Sequence, residues 1–209
     1  MQNSSPQFLF FDLGNVLLYF SHELGCRQMA EVSGSSYEKV WQVVYSDGGL
    51  EWRYERNELS DDEFYEAFCQ QTRTQPDYNA LQLAGSAIFE LNTSILPIVT
   101  QLSFAGHRMG ILSNTCRPHW EYISRRFTIV EKLFRVHALS YQLDALKPEP
   151  PIYAAAAKLA GLPPHEIFFV DDRADNVAGA RNSGFDAVQY TTSAALAAAL
   201  RDRGVGFNY

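Results

Sequence analysis

Each of three apolar segments of strand length is followed at once by side chains that carry reactive or hydrogen-bonding groups. They are Asp12 after residues 7–11, Ser113 and Asn114 after residues 108–112, and Asp171 and Asp172 after residues 167–170. Parallel strands of an open α/β sheet end at one edge, and ligands bind beyond that edge. The pattern therefore predicts that these side chains form a catalytic site.

The acidic members of this set indicate a metal ion. Asp171 and Asp172 are adjacent in the sequence, and placing both near Asp12 is unfavourable unless a cation offsets their charges. Mg²⁺ prefers oxygen ligands and commonly takes one or two carboxylates together with water and phosphate. We therefore expect a Mg²⁺ site. An aspartate that only caps the first strand would give the same local pattern at Asp12.

Three neutral or basic side chains carry groups that suit phosphate oxygens. Ser113 offers a hydroxyl donor and Asn114 an amide donor, although both residue types also cap helices. Lys147 precedes Pro148, so its backbone is held extended just before a predicted helix. Taken alone, Lys147 fits an exposed lysine better than a phosphate ligand.

The elements that must position these groups alternate between short apolar segments and helical segments. Buried parallel strands are predicted at 7–11, 108–112, 134–140, 167–170 and 186–190. Helices are predicted at 93–105, 150–160, 173–183 and 193–203. This alternation is typical of a doubly wound α/β fold with a parallel five-stranded sheet.

The stretch between the first two of these strands is too long for a simple crossover. Its pattern predicts helices at 36–45 and 81–91, and another that begins at the capping-box sequence Ser60-Asp61-Asp62-Glu63. We therefore predict a helical cap of residues 20–92, inserted into a core made of residues 1–19 and 93–209.

Four motifs, taken together and in this order, resemble those of the haloacid dehalogenase (HAD) superfamily. They are Phe-Leu-Phe-Phe-Asp-Leu-Gly-Asn-Val at 8–16, Ile-Leu-Ser-Asn-Thr at 111–115, Ala-Leu-Lys-Pro-Glu-Pro at 145–150 and Phe-Phe-Val-Asp-Asp-Arg-Ala-Asp-Asn at 168–176. The resemblance covers residues 7–19 and 108–190. It implies a Rossmann-like core with a mobile cap inserted after the first strand, which agrees with the organisation expected from the spacing.

The resemblance implies a role for each residue that matches a motif position. Asp12 resembles the nucleophile that forms an aspartyl-phosphate intermediate. Ser113 would bind the transferring phosphoryl group with Asn114 beside it, and Lys147 would neutralise the phosphate and orient the nucleophile. These roles suit phosphoryl transfer, which depends mainly on charge neutralisation and in-line positioning.

The same resemblance implies how Mg²⁺ would be held. Asp12, Asp172 and the backbone carbonyl of Gly14 would be its ligands, and Asp171 would reach water bound to the metal. Asn176 would lie behind these ligands and support them. A divalent ion in this place would stabilise the charge on a transferring phosphoryl group.

The motif around Asp12 departs from the family pattern at one position. Phosphatases of the family usually carry a second aspartate two residues after the nucleophile as general acid and base, and Gly14 stands there in this chain. General acid catalysis contributes about 10²–10⁴-fold to the rate. The sequence leaves three explanations open. A cap residue such as Glu55 substitutes, a metal-bound water held by Asp171 substitutes, or the substrate carries a good leaving group, as anomeric sugar phosphates do.

The variant motif Asp-Leu-Gly-Asn-Val, with Ser-Asn-Thr and Asp-Asp-Arg-Ala-Asp-Asn, resembles a subgroup that includes α-D-glucose-1-phosphate phosphatase. The cap segment Tyr-Glu-Arg-Asn-Glu-Leu-Ser-Asp-Asp-Glu-Phe at 54–64 is also similar to that subgroup. The resemblance therefore implies a Mg²⁺-dependent phosphatase of small phosphate monoesters, with sugar phosphates as the expected class. The rest of the cap sequence gives no further indication of the substrate.

Two other functions fit parts of the sequence. A 2-haloacid dehalogenase of the same superfamily needs no metal and tends to have an aromatic residue where Gly14 stands, and the Asp171-Asp172 pair would be unusual there. A non-catalytic binding or regulatory protein would explain the missing acid by a loss of activity. Mg²⁺-dependent hydrolysis of p-nitrophenyl phosphate distinguishes the phosphatase from both.

Composition and charge limit the remaining classes of function. The 209-residue chain has 46% hydrophobic residues and a formal net charge of -7, as expected for a globular protein that does not bind nucleic acid. The N-terminus does not resemble a signal peptide and no apolar segment is long enough to span a membrane, so we expect a cytoplasmic protein without a membrane partner. Cys26, Cys69 and Cys116 are expected to be free thiols. The expected partner is a small phosphorylated molecule, and no protein partner is indicated.

Several aromatic and basic side chains near the motifs are expected to have structural roles. His22 and His119 are expected at the surface or in packing. Trp41, Tyr45, Trp52 and Tyr54 are expected mainly in cap packing. Trp52, Tyr54 and Arg56 are predicted to lie in a loop before the capped helix, which would also allow these three residues to face the core.

Overall fold

The apolar strand that precedes Asp12 lies at the centre of the sheet in the computed structural model, which describes residues 5–209. The strands, in chain order, are β1 (Phe8–Phe11), β2 (Leu18–Phe20), β3 (Phe89–Leu91), β4 (Met109–Ser113), β5 (Val136–Leu139), β6 (Ile167–Asp171) and β7 (Asp186–Gln189). Within the described residues, five of them form a parallel sheet in the order β5-β4-β1-β6-β7. The predicted α/β fold with a five-stranded parallel sheet is confirmed.

Helices connect the strands and cover both faces of the sheet. The first five are α1 (His22–Ser33), α2 (Tyr37–Val40), α3 (Leu50–Glu55), α4 (Asp61–Thr72) and α5 (Tyr78–Ser86). The others are α6 (Leu96–Phe104), α7 (Arg117–Arg126), α8 (Ile129–Leu133), α9 (Ser140–Leu143), α10 (Pro150–Ala160), α11 (Ala174–Asn182) and α12 (Ser193–Asp202). The helices predicted at 93–105, 150–160, 173–183 and 193–203 are thus all present, with ends that differ by up to three residues.

Alternate side chains of β1 enter two different hydrophobic clusters, one on each face of the sheet. Leu9 and Phe11 pack with α6, α7, α8 and α12, while Phe8 and Phe10 pack with α10 and α11. Strand residues with this two-sided burial read as continuous apolar runs, which is why the strand could be predicted from the sequence.

The helices α1 to α5, called the cap helices below, share a third cluster of buried residues that includes Val40, Tyr54, Phe64 and Phe68. Ser60 and Glu63 form the predicted capping box at the start of α4. The helix predicted at 36–45 is α2 continued by a π-helical segment, Trp41–Tyr45. We propose, from this separate cluster, that residues 20–92 form a cap and that 1–19 and 93–209 form the core.

The helix predicted at 81–91 is wrong at both ends. The helix α5 spans Tyr78–Ser86, and Phe89–Leu91 is instead the strand β3, which pairs antiparallel with β2. The alternation of Phe89, Glu90 and Leu91 suits a half-buried strand once Leu18–Phe20 lies beside it. This partner is about 70 residues away in sequence, so a local helical pattern gave the wrong result. No helix among residues 5–209 has the length and apolar character needed to cross a bilayer.

Candidate active site

Asp12 and Asp171 are brought side by side by the register of β1 and β6. Phe11 pairs with Val170, the residues that directly precede the two aspartates. The backbone N–H of Asp12 donates to the carbonyl of Val170 at 2.9 Å, which continues the ladder by one residue. Both carboxylates are buried. The sequence prediction that these strand-end residues meet is therefore correct.

Lys147 lies between the two carboxylates. Its Nζ is 2.7 Å from Asp12 Oδ1 and 2.6 Å from Asp171 Oδ2, and its side chain is 2% exposed. Burial works to lower the pKa of Lys147, but the two carboxylates outweigh burial and the pKa is raised, so the ammonium stays charged. The alternative of an exposed lysine is wrong. The sequence around Lys147 cannot distinguish an exposed from a buried lysine, because the partners Asp12 and Asp171 lie on distant strands.

Asn114 holds the backbone of Lys147 in place. Its Nδ2 donates to the Lys147 carbonyl at 3.0 Å, and its Oδ1 accepts from the Lys147 N–H at 2.8 Å. The amide that was predicted to bind phosphate is thus occupied in positioning the lysine. Ser113, the other predicted phosphate ligand, lines the same cavity, and its hydroxyl donates to the Asn114 carbonyl at 3.1 Å.

Asp171 has hydrogen bonds to both of its carboxylate oxygens from protein groups. The N–H of Arg173 donates to Oδ1 at 2.8 Å, Lys147 contacts Oδ2, and Asn176 Nδ2 lies 3.0 and 3.1 Å from the two oxygens. Asn176 therefore supports the acidic cluster from behind. This is the position that its place in the motif implied.

Asp172 is held by Asn15, a residue for which the motifs predicted no role. Asn15 Nδ2 donates to Asp172 Oδ2 at 3.0 Å. Asn15 has a φ of 54°, in the left-handed region that asparagine tolerates better than most residues. Asn15 follows Gly14 in the first motif, and a Gly-Asn pair is typical of a turn. That pair was the one indication in the sequence that the Asn15 side chain could point back towards the site.

The three carboxylates form a donor set that suits a divalent cation. One carboxylate oxygen from each of Asp12, Asp171 and Asp172 lies within 4.8 Å of the others. Burial raises the pKa of Asp12 to about 7, against the opposing effect of Lys147 and with help from Asp171. One lysine thus compensates the cluster only in part. Hard oxygen donors with surplus negative charge are what Mg²⁺ requires, so these residues fit the ion.

A cavity of about 470 Å³ opens above the acidic cluster, a volume suited to a small ligand. Its core side includes Asp12, Gly14, Ser113, Asn114, Lys147 and Asp172. Its other side is formed by Phe20, His22, Glu51, Trp52, Glu55 and Phe89, from the cap helices and the β2-β3 ribbon. The core side of the cavity therefore consists of predicted site residues. Most residues on the opposite side were not predicted to belong to the site.

His22 and His119 line the same cavity. The sequence predicted both at the surface or in packing and did not predict this location. Burial lowers the pKa of His22 and of His119 to about 4, so both are neutral at physiological pH. His119 Nε2 lies 3.2 Å from the Gly85 carbonyl, which assigns its proton to Nε2 and leaves Nδ1 facing Glu51 at 3.5 Å. His119 follows the Ser-Asn-Thr motif by four residues, and that proximity was the only sequence signal.

The segment predicted as a loop before α4 contains the short helix α3. Trp52 lines the cavity, so it faces the core as the prediction allowed. Tyr54 is buried against Phe64 instead, and its hydroxyl donates to Asp61 at 2.7 Å. Arg56 forms a two-pronged ion pair with Glu149 at the start of α10. Of these three residues, Arg56 therefore links the cap to the core and Trp52 borders the cavity.

The cysteines are free in the described part of the chain. Cys116 is buried, and burial raises the pKa of its thiol well above the usual range. A thiol in this state is a poor nucleophile, so Asp12 has no competitor from the cysteine next to the Ser-Asn-Thr motif.

Comparison with known proteins identifies the family. The family model of haloacid dehalogenase-like hydrolases matches residues 7–184. Since the match covers most of the sequence, this chain belongs to the haloacid dehalogenase-like hydrolases. The resemblance seen in the four motifs is confirmed at the level of the family.

Solved structures of HAD enzymes have the same fold. A HAD family enzyme from Bacteroides thetaiotaomicron, in complex with magnesium and inorganic phosphate, has a TM-score of 0.79 at 23% identity, over 90% of this chain and 95% of that chain. A HAD-like family hydrolase from Porphyromonas gingivalis has a TM-score of 0.78 at 22% identity, over 95% and 99% of the two chains.

One curated relative is similar over part of the sequence. Glyceraldehyde 3-phosphate phosphatase from Methanopyrus kandleri is 29% identical over 97 residues. The match covers 46% of this chain and 41% of that relative. It therefore spans less than half of either protein.

Removal of the Lys147 charge should destabilise the fold. Lys147→Met keeps the length of the side chain but leaves Asp12 and Asp171 side by side without a cation. We expect a loss of about 3–5 kcal/mol in the free energy of unfolding, as for other buried ion pairs from which one partner is removed. The measurement is urea denaturation in the presence of a chelator at mildly alkaline pH.

Lys158→Met is the matched control, because Lys158 is exposed on α10. It should change the free energy of unfolding by less than about 0.5 kcal/mol. An equal, small change in both variants would mean that Lys147 does not compensate the buried carboxylates.

Proposed function

We propose that this protein is a Mg²⁺-dependent phosphatase that hydrolyses small phosphate monoesters through an aspartyl-phosphate on Asp12. The family membership makes it a hydrolase. The observation that carries the proposal is the arrangement of Lys147 between Asp12 and Asp171, beside Asp172 and below a cavity that admits a small ligand.

Asp12 is suited to act as the nucleophile. Its Oδ1 accepts hydrogen bonds from the Leu13 N–H at 2.7 Å and from Lys147 Nζ at 2.7 Å, which fix the carboxylate. Among residues 5–209, no hydrogen bond to Oδ2 is present, so one oxygen remains available. A fixed carboxylate with a free oxygen has little orientation left to lose on attack at phosphorus.

The same residues support a role for Mg²⁺. Asp12 and Asp172 would hold the ion with the Gly14 carbonyl, and Asp171 would act from behind on bound water. When bound, the ion would supply charge neutralisation for the phosphoryl oxygens. Lys147 and the Ser113 hydroxyl border the cavity and would bind the phosphoryl group directly.

A solved structure and a curated relative both support phosphatase activity. The Bacteroides thetaiotaomicron enzyme was solved with magnesium and inorganic phosphate, and the Methanopyrus kandleri relative is a phosphatase. The dehalogenase alternative is disfavoured, because a reaction that needs no metal has no use for Asp172 in a cluster of three carboxylates. A purely regulatory role gives no reason for the fixed Asp12 carboxylate.

The finer assignment is a sugar phosphate as substrate. The subgroup resemblance to α-D-glucose-1-phosphate phosphatase supports it, and so does the cavity, whose polar wall includes Glu51, Glu55 and Arg173 beside the ring of Trp52. Aromatic faces and hydrogen-bonding side chains are a common combination for binding sugars.

We also propose a cytoplasmic location for the protein. The free thiols of the described residues fit a reducing compartment, which supports this location.

Asp12→Asn should remove nearly all turnover while the fold is kept. The amide is similar in size to the carboxylate but cannot form the acyl phosphate. The measurement is kcat with p-nitrophenyl phosphate and Mg²⁺, together with circular dichroism. Asp202→Asn, an exposed position on α12, serves as the control and should keep normal turnover. Retention of more than a few per cent of kcat in Asp12→Asn contradicts the mechanism.

Mg²⁺ should stabilise the protein through the acidic cluster. A ligand that binds only the folded state adds about 3 kcal/mol when its free concentration is about 100-fold above Kd. We expect the Tm of the wild type to rise by several degrees in saturating Mg²⁺, as measured by differential scanning calorimetry. Asp172→Ala should lose most of this gain and Asp202→Ala should keep it. A wild-type Tm that does not respond to Mg²⁺ counts against the metal site.

A further inference from the structure

The position where phosphatases of this family usually place an acid is covered by an aromatic ring. An ideal Cβ built on Gly14 would lie 2.8 Å from Cε1 of Phe20, so this half-buried ring would have to move to admit a side chain there. The Phe20 ring from β2 thus fills the space beside the nucleophile. If the protein acts as the proposed phosphatase, the proton for the leaving group must come from another element.

Asp171 does not meet this need. It is fully buried, and both carboxylate oxygens already accept hydrogen bonds from Lys147, Asn176 and the backbone of Arg173. Neither oxygen is therefore free to contact a leaving group in the cavity, and Asp171 does not line that cavity. Asp171 is therefore not placed to pass a proton to the leaving oxygen itself.

The histidines of the cavity do not meet it either. His22 and His119 are neutral at physiological pH because burial lowers the pKa of each to about 4. His119 also uses its Nε2 proton in the hydrogen bond to Gly85. Neither imidazole is a ready proton donor to a leaving oxygen.

Glu55 borders the same cavity from the cap side. It is at the end of α3, one helical turn after Glu51, so both carboxyl groups share a helix face. Both line the cavity that contains Asp12 and Lys147. Burial also raises the pKa of Glu51, to about 7, and its Oε1 lies 3.5 Å from the unprotonated Nδ1 of His119, so a proton on Glu51 is shared with that ring. Glu55 makes no side-chain hydrogen bond with any residue of the described range 5–209, which leaves its proton free for a ligand.

The surroundings of Glu55 keep it protonated. Burial is the main cause that raises its pKa to about 8, and the charge of Glu51 adds to this, while Lys147 and Arg173 act against it. The titratable or charged side chains around the same cavity are Asp12, His22, Glu51, His119, Lys147, Asp172 and Arg173. Around neutral pH, Glu55 is therefore a neutral acid that faces a site rich in carboxylates.

We propose that Glu55, carried by the cap helix α3, is the general acid and base of the reaction. In the first step, the Asp12 carboxylate attacks phosphorus, the bond to the leaving oxygen breaks, and the Glu55 proton passes to that oxygen to release the alcohol. In the second step, water attacks the phosphorus of the aspartyl-phosphate, and the Glu55 carboxylate takes up a proton from this water. Asp12 is freed as a carboxylate, inorganic phosphate leaves, and Glu55 regains its starting state.

The residues after Glu55 tie this acid to the core. Arg56 pairs with Glu149, and Asn57 Nδ2 donates to Asp144 Oδ1 at 2.9 Å. These contacts join the end of α3 to the segments on both sides of Lys147. The end of α3, and Glu55 with it, is thereby fixed against the core beside the Lys147 segment.

The test compares Glu55→Gln with the wild type on substrates with different leaving groups. Ethyl phosphate needs a proton on its leaving oxygen, whereas p-nitrophenyl phosphate releases a stable phenolate. We expect kcat/KM for ethyl phosphate to fall about 10²–10⁴-fold in Glu55→Gln, the usual contribution of a general acid. The kcat/KM for p-nitrophenyl phosphate should change only a few-fold, since this parameter reports the steps up to leaving-group departure.

The second step gives an independent signature. Without the Glu55 base, the aspartyl-phosphate should accumulate, so Glu55→Gln should release a rapid burst of p-nitrophenol equal to the enzyme concentration. In the wild type, kcat/KM for ethyl phosphate should decline as pH rises through about 8, because the protonated acid is lost, and Glu55→Gln should lack this decline. Glu66→Gln, an exposed position on α4, should behave as the wild type in every assay.

Three outcomes would overturn the proposal. An equal fall for both substrates without a burst would mean that Glu55 binds the substrate instead of moving a proton. Unchanged rates for both would mean that another group protonates the leaving oxygen and that Glu55 takes no part in the proton transfer. No Mg²⁺-dependent hydrolysis by the wild type itself would overturn the proposed function and this inference with it, and that failure is visible before any Glu55 variant is made.

Discussion

The buried ion pair network in which Lys147 bridges Asp12 and Asp171 is the interaction on which the site depends. Parallel pairing of β1 with β6 places the two aspartates side by side without any choice of side-chain conformation. Two adjacent buried carboxylates repel each other, so a cation between them is a condition for the fold as well as for chemistry. A phosphate ester that enters the cavity therefore meets Lys147 in a position that its ion pairs with Asp12 and Asp171 have already fixed.

A shell of asparagines supports this network. Asn114 holds the backbone of Lys147, Asn176 holds Asp171, and Asn15 holds Asp172. Asparagine offers a donor and an acceptor without charge, so it can fix charged groups without changing the net charge of the site. The arrangement explains why amide residues follow three of the strand ends, while hydroxyl donors for the substrate come from residues such as Ser113 that also line the cavity.

The core of the fold could be predicted because its strands are buried on both faces and end in polar residues. The same logic placed Asp12, Asp171 and Asp172 together. It failed where contacts come from distant parts of the chain: Phe89–Leu91 is a strand only because Leu18–Phe20 lies beside it. The direction of the Asn114 amide and the places of His22 and His119 depend on packing between cap and core. No local spacing of residues encodes that packing.

The central claim is that the Asp12 carboxylate accepts the phosphoryl group. The most direct measurement is acid quench during steady turnover of p-nitrophenyl phosphate with Mg²⁺, followed by borohydride reduction and peptide mass spectrometry. Borohydride reduces an aspartyl-phosphate to homoserine and leaves a free aspartate unchanged. We expect homoserine at position 12 and at no other aspartate of the chain. Unmodified Asp12 in an enzyme that is turning over, or reduction at another residue, would contradict it.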